Sequence, residues 1–259
     1  MNDPHVDKLH YKVSSGEGIS YDDPDPLSDS NELGTFELRE GRLSFELVDV
    51  FAEVDDARSA IEPFLKSWEI EADLRSGIGS IRFTFERADV IDRDPPPPGK
   101  IITLKVNIRG KVTTSDQVNL HIARHEYPAP PSTFRSTPDV EICHLRWSRN
   151  KEGREHLLSM AYFVLTQIEK HGGTRQKRKR AASILQIDED VLDKIGHLTA
   201  ERGNASTARK AQPDNTYQEL SGSEKIWLEK AVRQVILRLG EHASGKPLTQ
   251  ITMNDLPAS

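Results

Sequence analysis

The sequence predicts an α+β protein: a β-rich antiparallel N-terminal domain followed by a C-terminal four- or five-helix bundle containing a helix-turn-helix-like pair. Three observations carry this. Up to Trp147 apolar and polar residues alternate in short runs separated by turn signals. From Glu152 onward apolar residues recur at helical spacing instead. The charge changes sign at the same place. Residues 1–148 hold 27 acidic and 17 basic side chains, net −10, and residues 149–259 hold 14 and 18, net +4. A chain of 259 residues is long enough for two cores, and the charge split fits two domains with different partners or with an attraction for each other.

Composition narrows the class. Apolar residues make up 36% and charged residues 29% of the chain, with a mean hydropathy of −0.60. No window approaches the run of about 18 apolar residues that a membrane span needs, so no membrane association is expected. The opening MNDPHVDKLHYK has neither a basic segment nor an apolar one of the kind that directs secretion, and a cytoplasmic location is the expectation. The one cysteine, Cys143, excludes an internal disulfide and is read as a small buried hydrophobe in a strand.

Residues 1–33, rich in Asp, Ser, Pro and Gly, read as an irregular N-terminal arm. A β-rich acidic domain is expected over 34–148. Thr35–Arg39 and Arg42–Leu47 alternate around Glu40-Gly41 and predict a hairpin. From Asp55, residues Ala57, Ile61, Leu65 and Trp68 share one helical face behind an acidic cap, with Pro63 as a kink point. Strands are then expected at Ile70–Leu74, Ile81–Phe85, Ile102–Ile108, Val118–Ile122 and Val140–Trp147. The runs DPPPPG (94–99) and YPAPPSTFRSTP (127–138) read as stiff exposed connectors.

A helical basic domain is expected over 149–245. Leu157 to Ile168 cover most of a helix circumference, and His171-Gly172-Gly173 is a stop. Two short helices follow, at 176–186 and 189–199, then the polar linker ERGNASTARK. The final helix starts at Ser221, whose spacing to Glu224 is that of a capping box. Residues 246–259 are a C-terminal tail.

The candidate binding residues are Arg175, Lys177, Arg178, Lys179 and Arg180, five cations in six positions, the usual electrostatic footprint of a phosphate backbone. Ala182, Leu185, Ile187, Leu192 and Ile195 have the spacing of two short helices packed across a tight turn, with Gln186 where Gly is common. The second helix, which would face base edges, opens with Asp188, Glu189 and Asp190. Those carboxylates suit a helix N-terminus and repel phosphate, so backbone contact is expected rather than base reading.

Other chemistry leaves little trace. His121 and His125 lie on an expected strand, where four residues span about 13 Å, too far for one ion. Glu86, Asp89, Asp92 and Asp94 are interleaved with Arg87 and Arg93 and read as a solvated strand edge. Nucleotide-loop, dinucleotide-loop, serine-hydrolase and zinc-protease signatures are missing from the sequence, and no metal or cofactor is expected.

Arg149 and His156 are separated by six residues at the entry to the helical domain, and this Arg–His spacing on a helical bundle resembles the ribonuclease motif of HEPN proteins of bacterial defence. That resemblance implies acid–base help and charge stabilisation by Arg149 and His156 at an RNA phosphate and 2′-hydroxyl. The segments YDDPDPL, WEIEADLRSG, DRDPPPPG, SMAYFVLTQIE, GNASTARK and QITMNDLP are together similar to recurrent blocks in a group of uncharacterised two-domain bacterial proteins. The expectation is therefore a non-catalytic binding or adaptor protein of bacterial stress or phage defence, contacting nucleic acid or a protein partner through a basic helical face. The alternative is a HEPN-like ribonuclease.

Overall fold

The computed structural model describes residues 3–94, 122–203 and 218–258. The chain folds as an antiparallel sheet followed by helices and divides into two compact units. One holds residues 1–65 and 79–129, the other 66–78 and 130–259. The expected boundary at 148/149 falls inside a helix, and the helix of residues 54–76 contributes to both units.

The first unit contains β1 (Pro4–Ser14), β2 (Ile19–Tyr21), β3 (Leu27–Asn31), β4 (Gly34–Arg39), β5 (Arg42–Leu47), β6 (Arg82–Asp92), β7 (Ile122–Arg124) and the first part of α1 (Val54–Ser76). The main sheet has the order β3-β4-β5-β1-β6, with every pairing antiparallel; β2 and β7 pair in parallel apart from it. The hairpin of β4 and β5 forms as expected. Glu40 and Gly41 both have left-handed backbones, φ 50° and 71°, the two-residue turn that matches strand twist.

The irregular arm expected over 1–33 is corrected: Pro4–Ser14 is the long strand between β5 and β6. Its buried apolar residues are Val6, Leu9, Tyr11 and Val13, with His5 also buried, so the inward phase shifts between Val6 and Leu9. A bulge between Val6 and Lys8 causes the shift, and it erases the period-two signal. Leu9 faces Phe45, Tyr11 faces Leu43, and Phe36 faces Phe45 in register, giving one apolar sheet face. Phe64 of α1 packs on that face, 5.5 Å from the Phe36 ring and 6.0 Å from Phe45, while the Arg58 guanidinium lies 4.6 Å from the Phe85 ring.

Ala57, Ile61, Leu65 and Trp68 are buried along α1 as their spacing requires, and the helix continues past Pro63. The strand expected at Ile70–Leu74 is instead its second part. All five residues there are buried, Glu71 and Asp73 included, so the alternation of apolar types said nothing about exposure. Asp73 meets Nε2 of His144 at 3.0 Å and Glu71 accepts from Arg75 Nε at 2.8 Å. Burial pushes the Glu71 carboxyl up, with Arg75 opposing.

The second unit adds α2 (Pro138–Lys151), α3 (Leu157–His171), α4 (Lys177–Leu185), α5 (Glu189–Glu201) and α6 (Gly222–Ala243). The strand expected at Val140–Trp147 is α2. Thr137 caps it by accepting from the Val140 N–H, Pro138 fills the first turn, and Val140, Cys143 and Trp147 form the buried stripe. Exposed Ile142 and Leu145 had blurred that spacing. The α6 capping box forms on both sides, Glu224 N–H to Ser221 Oγ at 3.1 Å and Ser221 N–H to Glu224 Oε2 at 2.8 Å.

The Pro-rich connector is anchored rather than wholly exposed. Tyr127 lies against Tyr21, and Phe134 is buried against α6. The expected strands at Ile102–Ile108 and Val118–Leu120, the DPPPPG run from Pro95, and most of ERGNASTARK lie outside the described residues.

A Cβ added at Gly240 would lie 2.1 Å from Cε2 of Phe134. Gly240→Ala should therefore cost about 1–3 kcal/mol in chemical denaturation, and in a Phe134→Leu background the same change should cost less.

Candidate nucleic-acid interface

The helix-turn-helix-like pair is built as the spacing demands. Ala182, Leu185, Ile187, Leu192 and Ile195 are all buried, and Gln186 takes the left-handed backbone, φ 50°, that ends α4. Two anchors hold the turn. Arg238 of α6 is 4% exposed and donates from Nη1 to the carbonyls of Leu185 and Gln186, each at 3.1 Å. The C-terminal tail adds a backbone bridge, Ile251 N–H to Gln186 O at 2.9 Å and Asp188 N–H to Ile251 O at 2.8 Å.

The five candidate cations do not share one fate. Arg178 points inward: its Nε and Nη2 reach Glu169 of α3 at 3.0 and 2.8 Å, and its Nη1 reaches Asp193 of α5 at 2.8 Å. Gly196 makes room for it, since a Cβ there would sit 2.8 Å from the guanidinium nitrogens. The two carboxylates hold the Arg178 pKa above its ordinary value although burial opposes them. Arg175, Lys177, Lys179 and Arg180 are exposed, and among the described residues their side chains have no ion-pair partner. Lys177, Arg180 and exposed Ile184 follow one another at i, i+3 and i+7 along the outer side.

This first turn is electrostatically unsatisfied. It contains no acidic residue of its own, among the described residues only Arg178 in it is neutralised, by Glu169 and Asp193 of other helices, and Gln176 at its cap makes no side-chain hydrogen bond to the free N–H groups. Each cation there costs about 0.3–1 kcal/mol against the helix dipole, and a nearby anion reverses the sign.

α5 presents the opposite charge. Val191, Leu192, Ile195, Leu198 and Thr199 face inward, which leaves Asp190, Asp193, His197 and Glu201 as the outer stripe. Asp188 accepts from the Asp190 N–H as the helix cap, and His197 Nδ1 meets Glu201 Oε1 at 3.1 Å. Lys194, a cation of this helix, lies 4.4 Å from the Trp227 ring. A face of this kind cannot approach base edges flanked by phosphates without like-charge repulsion.

Arg149 and His156 are both exposed, Arg149 in the last turn of α2 and His156 at the cap of α3, without a polar side-chain partner among the described residues. His156 lines a cleft of about 270 Å³ with Leu157, Leu220, Lys225, Glu219 and Glu229; Arg149 is not among its lining residues. The two glutamates oppose a bound phosphate. Asp73, His144 and Ser148 invite comparison with a catalytic triad, but Ser148 Oγ, at 3.5 Å, and Asp73 both meet the same Nε2 of His144, so no relay through the ring exists.

Burial pushes the Cys143 thiol up to about 12, which leaves it inert at neutral pH. Asp89 pairs with His10 at 2.8 Å and Glu86 lies 3.7 Å from Arg42, as a solvated strand edge allows. His125 is exposed, His121 lies outside the described residues, and no cluster of metal-ligating side chains occurs among the described residues.

Arg178→Ala should cost about 1–3 kcal/mol in denaturant titration, because it leaves two carboxylates unpaired. Lys177→Ala and Lys179→Ala should leave stability unchanged or raise it by up to about 1 kcal/mol, because each relieves the helix dipole.

The ring of His171, at the end of α3, lies 6.1 Å from that of His242 and 3.9 Å from the Asp139 carboxylate. Burial lowers its pKa below 6.5, Asp139 opposes, and His242 and Lys170 add to the lowering. The unfolded chain therefore takes up this proton first as pH falls through 6.5. Stability falls with pH from there down to the folded-state pKa and gains no further loss below it. His171→Gln should flatten that part of a plot of melting temperature against pH.

Comparison of the chain with family models, curated proteins and solved structures finds no match in any of the three.

Proposed function

We propose that the chain is a non-catalytic binding protein that engages the phosphate backbone of nucleic acid, without base preference, through the outer side of α4. The observation that supports this is the exposed set Arg175, Lys177, Lys179 and Arg180, left without ion-pair partners among the described residues on a chain of net charge −6. Clustered cations next to a helix N-terminus attract phosphate without regard to sequence. The acidic outer stripe of α5 argues against base reading. Apart from Ile184 the outer side of α4 is polar and carries no aromatic ring on which bases stack, so affinity rests on charge.

Fluorescence anisotropy with a labelled 12-nucleotide RNA tests the reading. If all four cations meet phosphates, log K should fall against log salt with a slope of about −3. The triple variant Lys177→Gln, Lys179→Gln, Arg180→Gln should bring that slope to about −1 with the fold intact. Unchanged binding by the triple variant would sink the proposal. Displacement of RNA by polyglutamate as readily as by unlabelled RNA would replace it with docking of an acidic protein segment.

A further inference from the structure

We infer that the α4 face selects single-stranded over double-stranded nucleic acid, with the acidic stripe of α5 as the selecting element; the inference rests on the binding reading above. α4 and α5 form the pair that would meet a duplex in the usual docking of a helix-turn-helix, first helix across the backbone and second in the major groove. Here the two helices carry opposite outward charge. Asp190, Asp193, His197 and Glu201 run along α5 for about 16 Å, the rise of eleven residues.

The stripe is close to the cations. Asp193 touches Arg178 of α4 at 2.8 Å, so the acidic row begins within side-chain reach of the basic helix and inside the screening length of about 8 Å at physiological salt. His197 is tied to Glu201, and Lys194, which keeps its charge, is directed at the Trp227 ring rather than along the outer row. A duplex is stiff over about 150 base pairs and carries two phosphate rows. Laid across Lys177 and Arg180, it brings further phosphates over α5. A single strand bends at each nucleotide, follows the α4 cations and leaves the acidic row in water.

The test is anisotropy with a 12-nucleotide RNA and DNA, each alone and annealed to its complement, at about 0.1 M salt, where two or three screened repulsions amount to roughly tenfold in affinity. The native chain should hold the single strands about tenfold more tightly than the duplexes. Asp190→Asn with Glu201→Gln should narrow the ratio to about threefold by strengthening duplex binding. Glu32→Gln with Glu37→Gln, the same charge change on the sheet, should leave the ratio as in the native chain. Asp193 stays unaltered because it holds Arg178, and melting curves confirm that each variant folds.

Equal binding of duplex and single strand by the native chain overturns this inference alone. So does a ratio that Asp190→Asn with Glu201→Gln leaves unchanged, or one that moves as much in the sheet variant. Binding of neither form overturns the backbone-binding reading as well.

Discussion

The guanidinium of Arg238 fixes the turn between α4 and α5, on which the proposed binding face depends. It is withdrawn from water, paired with Glu241 at 2.9 Å, and donates to two carbonyls at the end of α4. The Leu185 carbonyl has no partner within a helix that stops there, and leaving it buried and unpaired costs about 1–3 kcal/mol, whereas the Gln186 carbonyl also accepts from the Ile251 N–H. One side chain of α6 thus lets α4 end abruptly, Gln186 turn left-handed, and α5 begin at Glu189. Glu241 also faces Arg75 of α1 at 3.6 Å, and Arg75 holds the buried Glu71, so the anchor is one node of a charge network from α1 through α6 to the turn. The network has to be nearly complete to be favourable, because a buried charge with one partner missing is costly.

The same economy sorts the cations of α4. Arg178 is drawn inward by carboxylates on two other helices, and Gly196 gives it space. Its four neighbours are left on the surface, where they crowd the positive end of a nine-residue helix. Packing of α4 on α3, α5 and α6, through Ala181, Ala182 and Leu185, overrides that repulsion. What remains is a stable helix with exposed cations crowded at its positive end, the feature on which the proposed phosphate binding rests.

Much of this was legible in the sequence, wherever pattern and exposure agreed. The β4–β5 hairpin, the first part of α1, the α6 capping box and the buried faces of α4 and α5 all follow from spacing, because one face of each is wet. The misses share a cause. β1 carries a bulge that breaks its alternation, residues 70–74 are buried on every side so that periodicity has nothing to report, and α2 exposes Ile142 and Leu145 among its polar residues. At the candidate site the basic run was visible, but the inward turn of Arg178 was not. Its partners lie 9 residues before it and 15 after it, outside the i, i+3 and i, i+4 spacings that a sequence displays. Arg238 gave no sign in the sequence that it would be buried.

The scaffold and the charge pattern pull in different directions, and that conflict is informative. A helix-turn-helix that reads bases needs its second helix neutral or basic on the outside, yet α5 spends its outward positions on Asp190, Asp193 and Glu201. Two of the α5 acids serve the fold: Asp188 caps the helix and Asp193 secures Arg178. Asp190 and Glu201 are not needed in that way. Asp190 complements the helix dipole, worth a few tenths of a kcal/mol, and Glu201 meets His197 in an exposed pair worth little more. Their effect on folding is small, whereas as outward carboxylates they repel phosphate wherever it comes within a screening length. Their weight in the molecule therefore falls on the outward charge of α5, on which the proposed strand selection rests, more than on how α5 folds.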